Sequence, residues 1–89
     1  MNKPANDRTK NDSFPHEVVV FCIEQEMSLP AAWRHFRKLT QAELAARTGI
    51  TQAAVAQLEK PSARLRKGTL EKLAAALGVQ AEQLVDYFP

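Results

Sequence analysis

Apolar residues recur at helical spacing along most of the chain. Four of them share one face of the segment after Ser28, at positions i, i+3, i+4 and i+7: Leu29, Ala32, Trp33 and Phe36. Ser28 is a good N-cap residue, and Pro30 suits the first turn of a helix, where a backbone N–H has no helical partner anyway. The pattern predicts a helix that begins after Ser28.

Two short helices are predicted next. Thr40 and Glu43 have the spacing of a capping box, and Gly49 suits the end of the helix that they begin. Thr51 can cap the following helix, which we expect to run to about Lys60.

The C-terminal part of the chain predicts two more helices. One runs from about Thr69 to Leu77 and ends at Gly78, and the other is a short helix near residues 81–87. The apolar residues of the short helix and its end are Leu84, Val85 and Phe88. Because no partner strand and no internal repeat is visible, the sequence predicts an all-α protein with short connections.

The segment from residue 14 to 27 allows two interpretations. Its apolar run Val18–Ile23 is β-branched or bulky, and so short a run does not distinguish a helix from a buried strand by periodicity. Pro15 and Glu17 suit the start of a helix, and no second strand is visible to pair with this one. We therefore favour an additional N-terminal helix over residues 14–27.

Length and composition restrict the chain to a small globular protein. Eighty-nine residues hold one domain at most, and the predicted domain covers residues 28–89. Residues 1–13 contain almost no apolar side chain, so we expect a disordered tail there. The sequence shows no signal peptide and no apolar run near the roughly 20 residues that span a bilayer, so we expect a cytoplasmic protein.

The residues offer no catalytic or metal-binding chemistry. A single cysteine, Cys22, excludes an intramolecular disulfide and a Cys-pair zinc site. His16 and His35 form no metal-ligand or nucleophile pattern with it. We expect no enzyme activity, no cofactor and no metal.

The two short helices in the middle of the chain have the pattern of a helix-turn-helix. A tight turn at residues 48–51 joins them, and Gly49 can supply the positive φ that such a turn requires. Ala45 is small enough to let the second helix approach the first. In a helix-turn-helix, the second helix can enter the major groove of DNA.

The second of these helices has one apolar and one polar face at 100° per residue. Ala54, Val55 and Leu58 lie on the bulky face. The opposite face carries the candidate base contacts Gln52, Ala53, Ala56 and Gln57, together with Lys60. Glutamine can bind adenine through paired hydrogen bonds, and alanine methyls can contact the thymine methyl.

Positive charge is concentrated around the same region. The formal net charge is only +2, but residues 28–72 hold nine basic and three acidic side chains. Residues 15–27 are acidic, with three glutamates and no basic residue except a histidine. We predict phosphate contacts by the basic residues after the second helix, Lys60, Arg64, Arg66 and Lys67.

The stretch Leu39-Thr-Gln-Ala-Glu-Leu-Ala-Ala-Arg-Thr-Gly-Ile-Thr-Gln-Ala-Ala-Val-Ala-Gln-Leu-Glu59, with Leu73-Ala-Ala-Ala-Leu-Gly-Val79, resembles the Cro/C1-type helix-turn-helix family. Lambdoid phage repressors and Xre-type regulators belong to this family. The resemblance implies a five-helix repressor-like domain, here with an extra N-terminal helix, that binds double-stranded operator DNA. It further implies a transcriptional regulator, most often a repressor.

The same resemblance assigns roles to individual residues. It implies that Gln41 and Thr51 bind phosphates and that Gln52 and Gln57 contact bases. Close phage repressors carry a third glutamine where this chain has Ala53, which favours a thymine-methyl contact there. It also implies a buried ion pair between Arg34 and Glu59, which occupy the family's positions for it.

A narrower resemblance concerns antitoxins of RelE/ParE-superfamily toxins, including the host-inhibition-of-growth (HigA-like) group. The segments that carry it are His16-Glu-Val-Val, Ser28-Leu-Pro-Ala-Ala-Trp-Arg34 and Leu65-Arg-Lys-Gly-Thr-Leu-Glu-Lys-Leu-Ala74. It implies an alternative function, the binding and neutralisation of a toxin, through Val18–Ile23 or through the C-terminal surface at residues 84–88. The two functions can coexist, because such antitoxins commonly repress their own operon.

A homodimer on a palindromic operator is the expected assembly in this family. The candidate dimer surface comprises Leu84, Tyr87 and Phe88. These apolar residues could equally fold back onto the core of their own chain, and the sequence leaves this choice open.

Overall fold

The N-terminal segment is a helix. The computed structural model describes residues 14–85, and in it α1 runs over His16–Glu24, directly after Pro15. Val18 and Cys22, four residues apart, are both buried on the side of α1 that packs on the next helix. The helical alternative for residues 14–27 is therefore correct, and no strand occurs between residues 14 and 85.

Helix α2, Leu29–Phe36, forms as its cap and stripe predict. The Ser28 hydroxyl accepts a hydrogen bond from the N–H of Ala31 at 3.3 Å, and Pro30 lies in the first turn. Trp33 is buried, and its indole N–H donates to the carbonyl of Gln83 at 3.0 Å. This bond ties α2 to the C-terminal end of the described chain.

The next two helices also begin at the residues that the caps predict. Helix α3 covers Gln41–Thr48, and both bonds of the Thr40–Glu43 capping box are present. Helix α4 covers Gln52–Leu58 after Thr51, two residues shorter than predicted, because Glu59 already has C-cap geometry.

The last two elements differ in extent from the prediction. Helix α5 covers Lys67–Leu77 and so begins two residues earlier than expected, and it ends at Gly78 with φ +72°. The final element is a 3-10 helix over Ala81–Leu84 with Val85 as its C-cap, and the Gln83 side chain caps its start by accepting from the N–H of Gln80.

One core unites all of these elements, and α1 contributes to it through Phe14, Val18 and Cys22. Leu84 is only 3% exposed and belongs to the same core. Its assignment to a dimer surface is therefore wrong, and folding back onto the core is the alternative that the structure shows. Tyr87 and Phe88 lie outside the described residues, as do the predicted tail at 1–13 and the rest of residues 86–89.

The predicted partner surface Val18–Ile23 is only partly accessible. Val18 and Cys22 are buried, whereas Ile23 is 60% exposed.

The longest helix between residues 14 and 85 is α5 with 11 residues, and none in that range is long and apolar enough to cross a membrane.

Candidate nucleic-acid interface

A tight turn holds α3 and α4 at a fixed angle. Gly49 adopts φ +77°, and its N–H donates to the Ala45 carbonyl at 2.9 Å. The N–H of Ile50 donates to the same carbonyl at 3.2 Å. Ala45 is buried, as its small side chain predicts for a position of close helix approach. The positive φ is the reason for glycine at this position.

Helix α4 places its apolar face inward and its polar face outward. Val55 is 1% exposed and Ala54 and Leu58 are half-buried. Of the predicted base contacts, three are exposed: Gln52, Ala53 and Gln57. Ala56 is half-buried, so its methyl is less accessible than the helical angle alone indicates. The exposed face measures about two helical turns, a length that fits into a major groove.

Thr51 and Gln41 stand at the starts of α4 and α3. The Thr51 hydroxyl accepts from the N–H of Ala54 at 3.0 Å, which leaves its own O–H available as a donor. Gln41 is half-buried, and its Nε2 donates to Glu59 Oε1 at 3.1 Å. This bond links the first residue of α3 to the residue that ends α4.

Arg34 and Glu59 form a bidentate ion pair. Arg34 Nε donates to Glu59 Oε2 at 2.5 Å, and Arg34 Nη2 donates to Glu59 Oε1 at 3.0 Å. Arg34 Nη1 also donates to the carbonyl of Leu39 at 2.8 Å. The two side chains are 11% and 8% exposed. The pair therefore fastens the end of α4 to α2 and to the connection before α3.

The comparison with known families agrees with this geometry. The family model of the Cro/C1-type helix-turn-helix DNA-binding domain matches residues 34–89, which is more than half of the chain. The chain belongs to the Cro/C1-type helix-turn-helix family. No curated protein and no solved structure matches it. The matched residues include all of α3, α4 and α5, whereas α1 precedes them.

The basic residues of this Cro/C1-type domain lie mostly outside the two helices of the helix-turn-helix, and Arg47 in α3 is the one within them. Among the nine basic residues of positions 28–72, two have structural partners. One is Arg34, and the other is Arg37, whose Nε donates to the carbonyl of Leu77 at 2.8 Å, at the end of α5. The remaining seven are exposed: Lys38, Arg47, Lys60, Arg64, Arg66, Lys67 and Lys72.

The four predicted phosphate-binding cations occupy two different places on the Cro/C1-type domain. Arg66 is the N-cap residue of α5 and Lys67 is its first residue, where the helix dipole favours an anion. Lys60 and Arg64 instead line an open groove of about 640 Å³ that also includes Glu26. The groove separates the α4–α5 loop from the connection between α1 and α2.

Two features of the site have no signal in the sequence. The contact of Gln41 with Glu59 joins residues 18 positions apart, and no spacing rule predicts it. The bonds from Arg37 to the end of α5 join residues 40 positions apart, and they hold its guanidinium at the end of that helix. A count of basic residues alone therefore does not show which of them are already hydrogen-bonded within the protein.

The described residues contain no metal centre and no activated cysteine. No group of three His, Cys, Asp or Glu side chains between residues 14 and 85 could hold a metal ion. Burial raises the pKa of the Cys22 thiol, so its reactive thiolate is disfavoured.

Proposed function

We propose that this chain is a sequence-specific DNA-binding transcriptional regulator that acts as a repressor with α4 in the major groove. The observation that carries the proposal is the exposed row Gln52, Ala53 and Gln57 on a helix held by its turn and its ion pair. The membership of the Cro/C1-type DNA-binding family supports the same conclusion. Repression would follow when the bound protein blocks access to a promoter.

The proposed base contacts divide by chemistry. Gln52 and Gln57 each carry a side-chain amide that can donate to N7 and accept from N6 of an adenine. Ala53 offers a methyl group to thymine, and the half-buried Ala56 can contribute only the exposed part of its methyl. The preferred half-site should therefore be rich in A·T pairs.

The proposed phosphate contacts lie at the starts of α3, α4 and α5 and in the loop after α4. Thr51 retains a free O–H at the start of α4, and Gln41 lies at the start of α3. Positive charge would come from Lys60, Arg64, Arg66 and Lys67, all of which are exposed. Contacts of this kind fix the orientation of the protein and give no sequence preference.

The operator would be a palindrome bound by a homodimer, with half-sites about one helical turn apart. Leu84 is not available for the dimer interface. Val85 is 57% exposed and lies two residues before the candidate Tyr87, which Phe88 follows.

Selection of bound duplexes from a random pool tests the proposal. The unaltered chain should enrich one A·T-rich motif. In the double variant Gln52→Ala/Gln57→Ala, the ratio of the affinity for this motif to the affinity for other duplexes should fall by roughly 10-fold to 100-fold for each glutamine removed. Its salt-dependent binding to DNA of any sequence should remain. Gln25→Ala is the matched control, because Gln25 is an exposed glutamine after α1. Retention of the motif by the double variant contradicts the proposed base contacts.

A second candidate function is neutralisation of a toxin protein, supported by the character of α1. This helix precedes the matched residues, and its exposed residues include the apolar Ile23 and the acidic Glu17 and Glu24. Such a surface suits a basic partner with an apolar patch. Co-purification with the protein encoded next to this chain tests it, and Ile23→Asp should reduce capture and leave DNA binding unchanged. Equal capture by Ile23→Asp contradicts a binding role for α1.

A further inference from the structure

The carboxylate of Glu59 has more than one partner. Arg34 occupies both of its oxygens, and Gln41 Nε2 donates to Oε1 as well, at 3.1 Å. Ion pairing with Arg34 alone would suffice to brace α2 against α4. The third bond extends this network to the first residue of α3, which stands at the edge of the exposed helix-turn-helix surface.

The amide of Gln41 can serve two acceptors at once. A side-chain amide carries two N–H groups, and Glu59 uses one of them. The other remains for a second acceptor. Gln41 is only half-buried, so an acceptor from outside the protein can reach it.

The charges of the network permit a phosphate to approach. A lone carboxylate near the DNA backbone would repel it, but Arg34 compensates the charge of Glu59. A charge-assisted hydrogen bond also orients the amide more firmly than a neutral one would. Holding a long, flexible side chain in place before binding removes an entropic cost that corresponds to roughly a twofold to tenfold change in affinity.

We propose that Glu59 is a positioning residue for DNA binding, which holds the Gln41 amide so that its second N–H donates to a backbone phosphate. The proposal rests on the proposed DNA-binding function and adds a role for the ion pair beyond bracing the fold. In this arrangement Arg34 orients Glu59, Glu59 orients Gln41, and Gln41 contacts the DNA.

A double-variant cycle tests this role on the full chain and its selected duplex. Glu59→Asp keeps the charge that Arg34 requires but withdraws the carboxylate from Gln41 by one methylene. In the chain that keeps Gln41, Glu59→Asp should weaken binding to the selected duplex by about threefold or more. This factor is corrected for the folded fraction, which circular dichroism measures. In the Gln41→Ala background, the same substitution should change the affinity by less than about 1.5-fold.

The control variant and the salt dependence complete the test. Gln41→Lys should restore most of the affinity lost in Gln41→Ala, because an ammonium group can donate to Glu59 and to a phosphate together. Equal losses from Glu59→Asp in both backgrounds overturn the positioning role alone. If the unaltered chain shows no salt-dependent binding to any duplex, the proposed function fails, and this role fails with it.

Discussion

The four proposed phosphate-binding cations predict a definite salt dependence. If Lys60, Arg64, Arg66 and Lys67 each neutralise one phosphate, one domain on a half-site displaces about four counterions. The logarithm of the binding constant should then fall with the logarithm of salt concentration with a slope of about −3.6. Between 50 and 200 mM salt, binding should weaken by about 150-fold.

Two variants compare the proposed phosphate contacts with Arg37, whose guanidinium is already hydrogen-bonded to the end of α5. Arg66→Ala/Lys67→Ala removes two exposed charges at the start of α5, so the slope should fall to about −1.8 and the loss over the same salt range to about 12-fold. Arg37→Ala removes a guanidinium that donates to the carbonyls of Leu77 and Gly78 and lies 5.4 Å from the Trp33 ring centroid. It should lower stability and leave the slope unchanged.

Fluorescence anisotropy of a labelled half-site duplex at four or more salt concentrations measures these slopes. The measurement must be made below the melting temperature of each variant, because Arg37→Ala weakens the end of α5. If Arg37→Ala reduces the slope as much as the loss of one proposed phosphate contact does, Arg37 also contacts the DNA backbone and its bonds within the protein do not prevent this. If Arg66→Ala/Lys67→Ala leaves the slope at about −3.6, these two residues do not contact phosphates.

Two further predictions concern the core. Val18→Ala should lower the free energy of unfolding by about 2 kcal/mol, because Val18 is fully buried and the substitution removes two methyl groups. Glu17→Ala, on the exposed face of α1, should change the free energy of unfolding by less than about 0.5 kcal/mol. Urea titration followed by circular dichroism measures both, and equal effects would contradict the packing of α1. Burial raises the pKa of the Cys22 thiol, so folding favours its protonated form. The stability that depends on this thiol is therefore fully present below its ordinary pKa of 9.0 and should decline as the pH rises above that value. Urea titrations between pH 7 and 10 test this, with Cys22→Ala as the control that should lack that part of the decline.

The helix boundaries could be predicted because their signals are local. Ser28, Thr40 and Thr51 cap their helices through bonds to residues three positions ahead, and Gly49 and Gly78 end theirs in the left-handed conformation. Each signal depends only on neighbouring residues and on backbone geometry. The helix-turn-helix follows from these signals together with the two faces of α4.

The features that could not be predicted depend on tertiary packing. A run of six apolar residues has no alternation of apolar and polar positions. The sequence therefore does not distinguish the buried Val18 from the exposed Ile23. The location of Leu84 in the core depends on packing against α5 and against α2, which is far away in the sequence. The same holds for the long-range bonds of Arg37 and Gln41.

The position of Trp33 has a consequence for the minimal folding unit. Family similarity begins at residue 34, immediately after this side chain. Yet Trp33 lies in the centre of the core, where Phe14 packs at a ring-centroid distance of 6.0 Å and Gln83 accepts its N–H. A fragment cut at the similarity boundary would lose its central aromatic residue and the cap of α2. In this protein, the segment that matches the family model is therefore shorter than the segment that packs into one core.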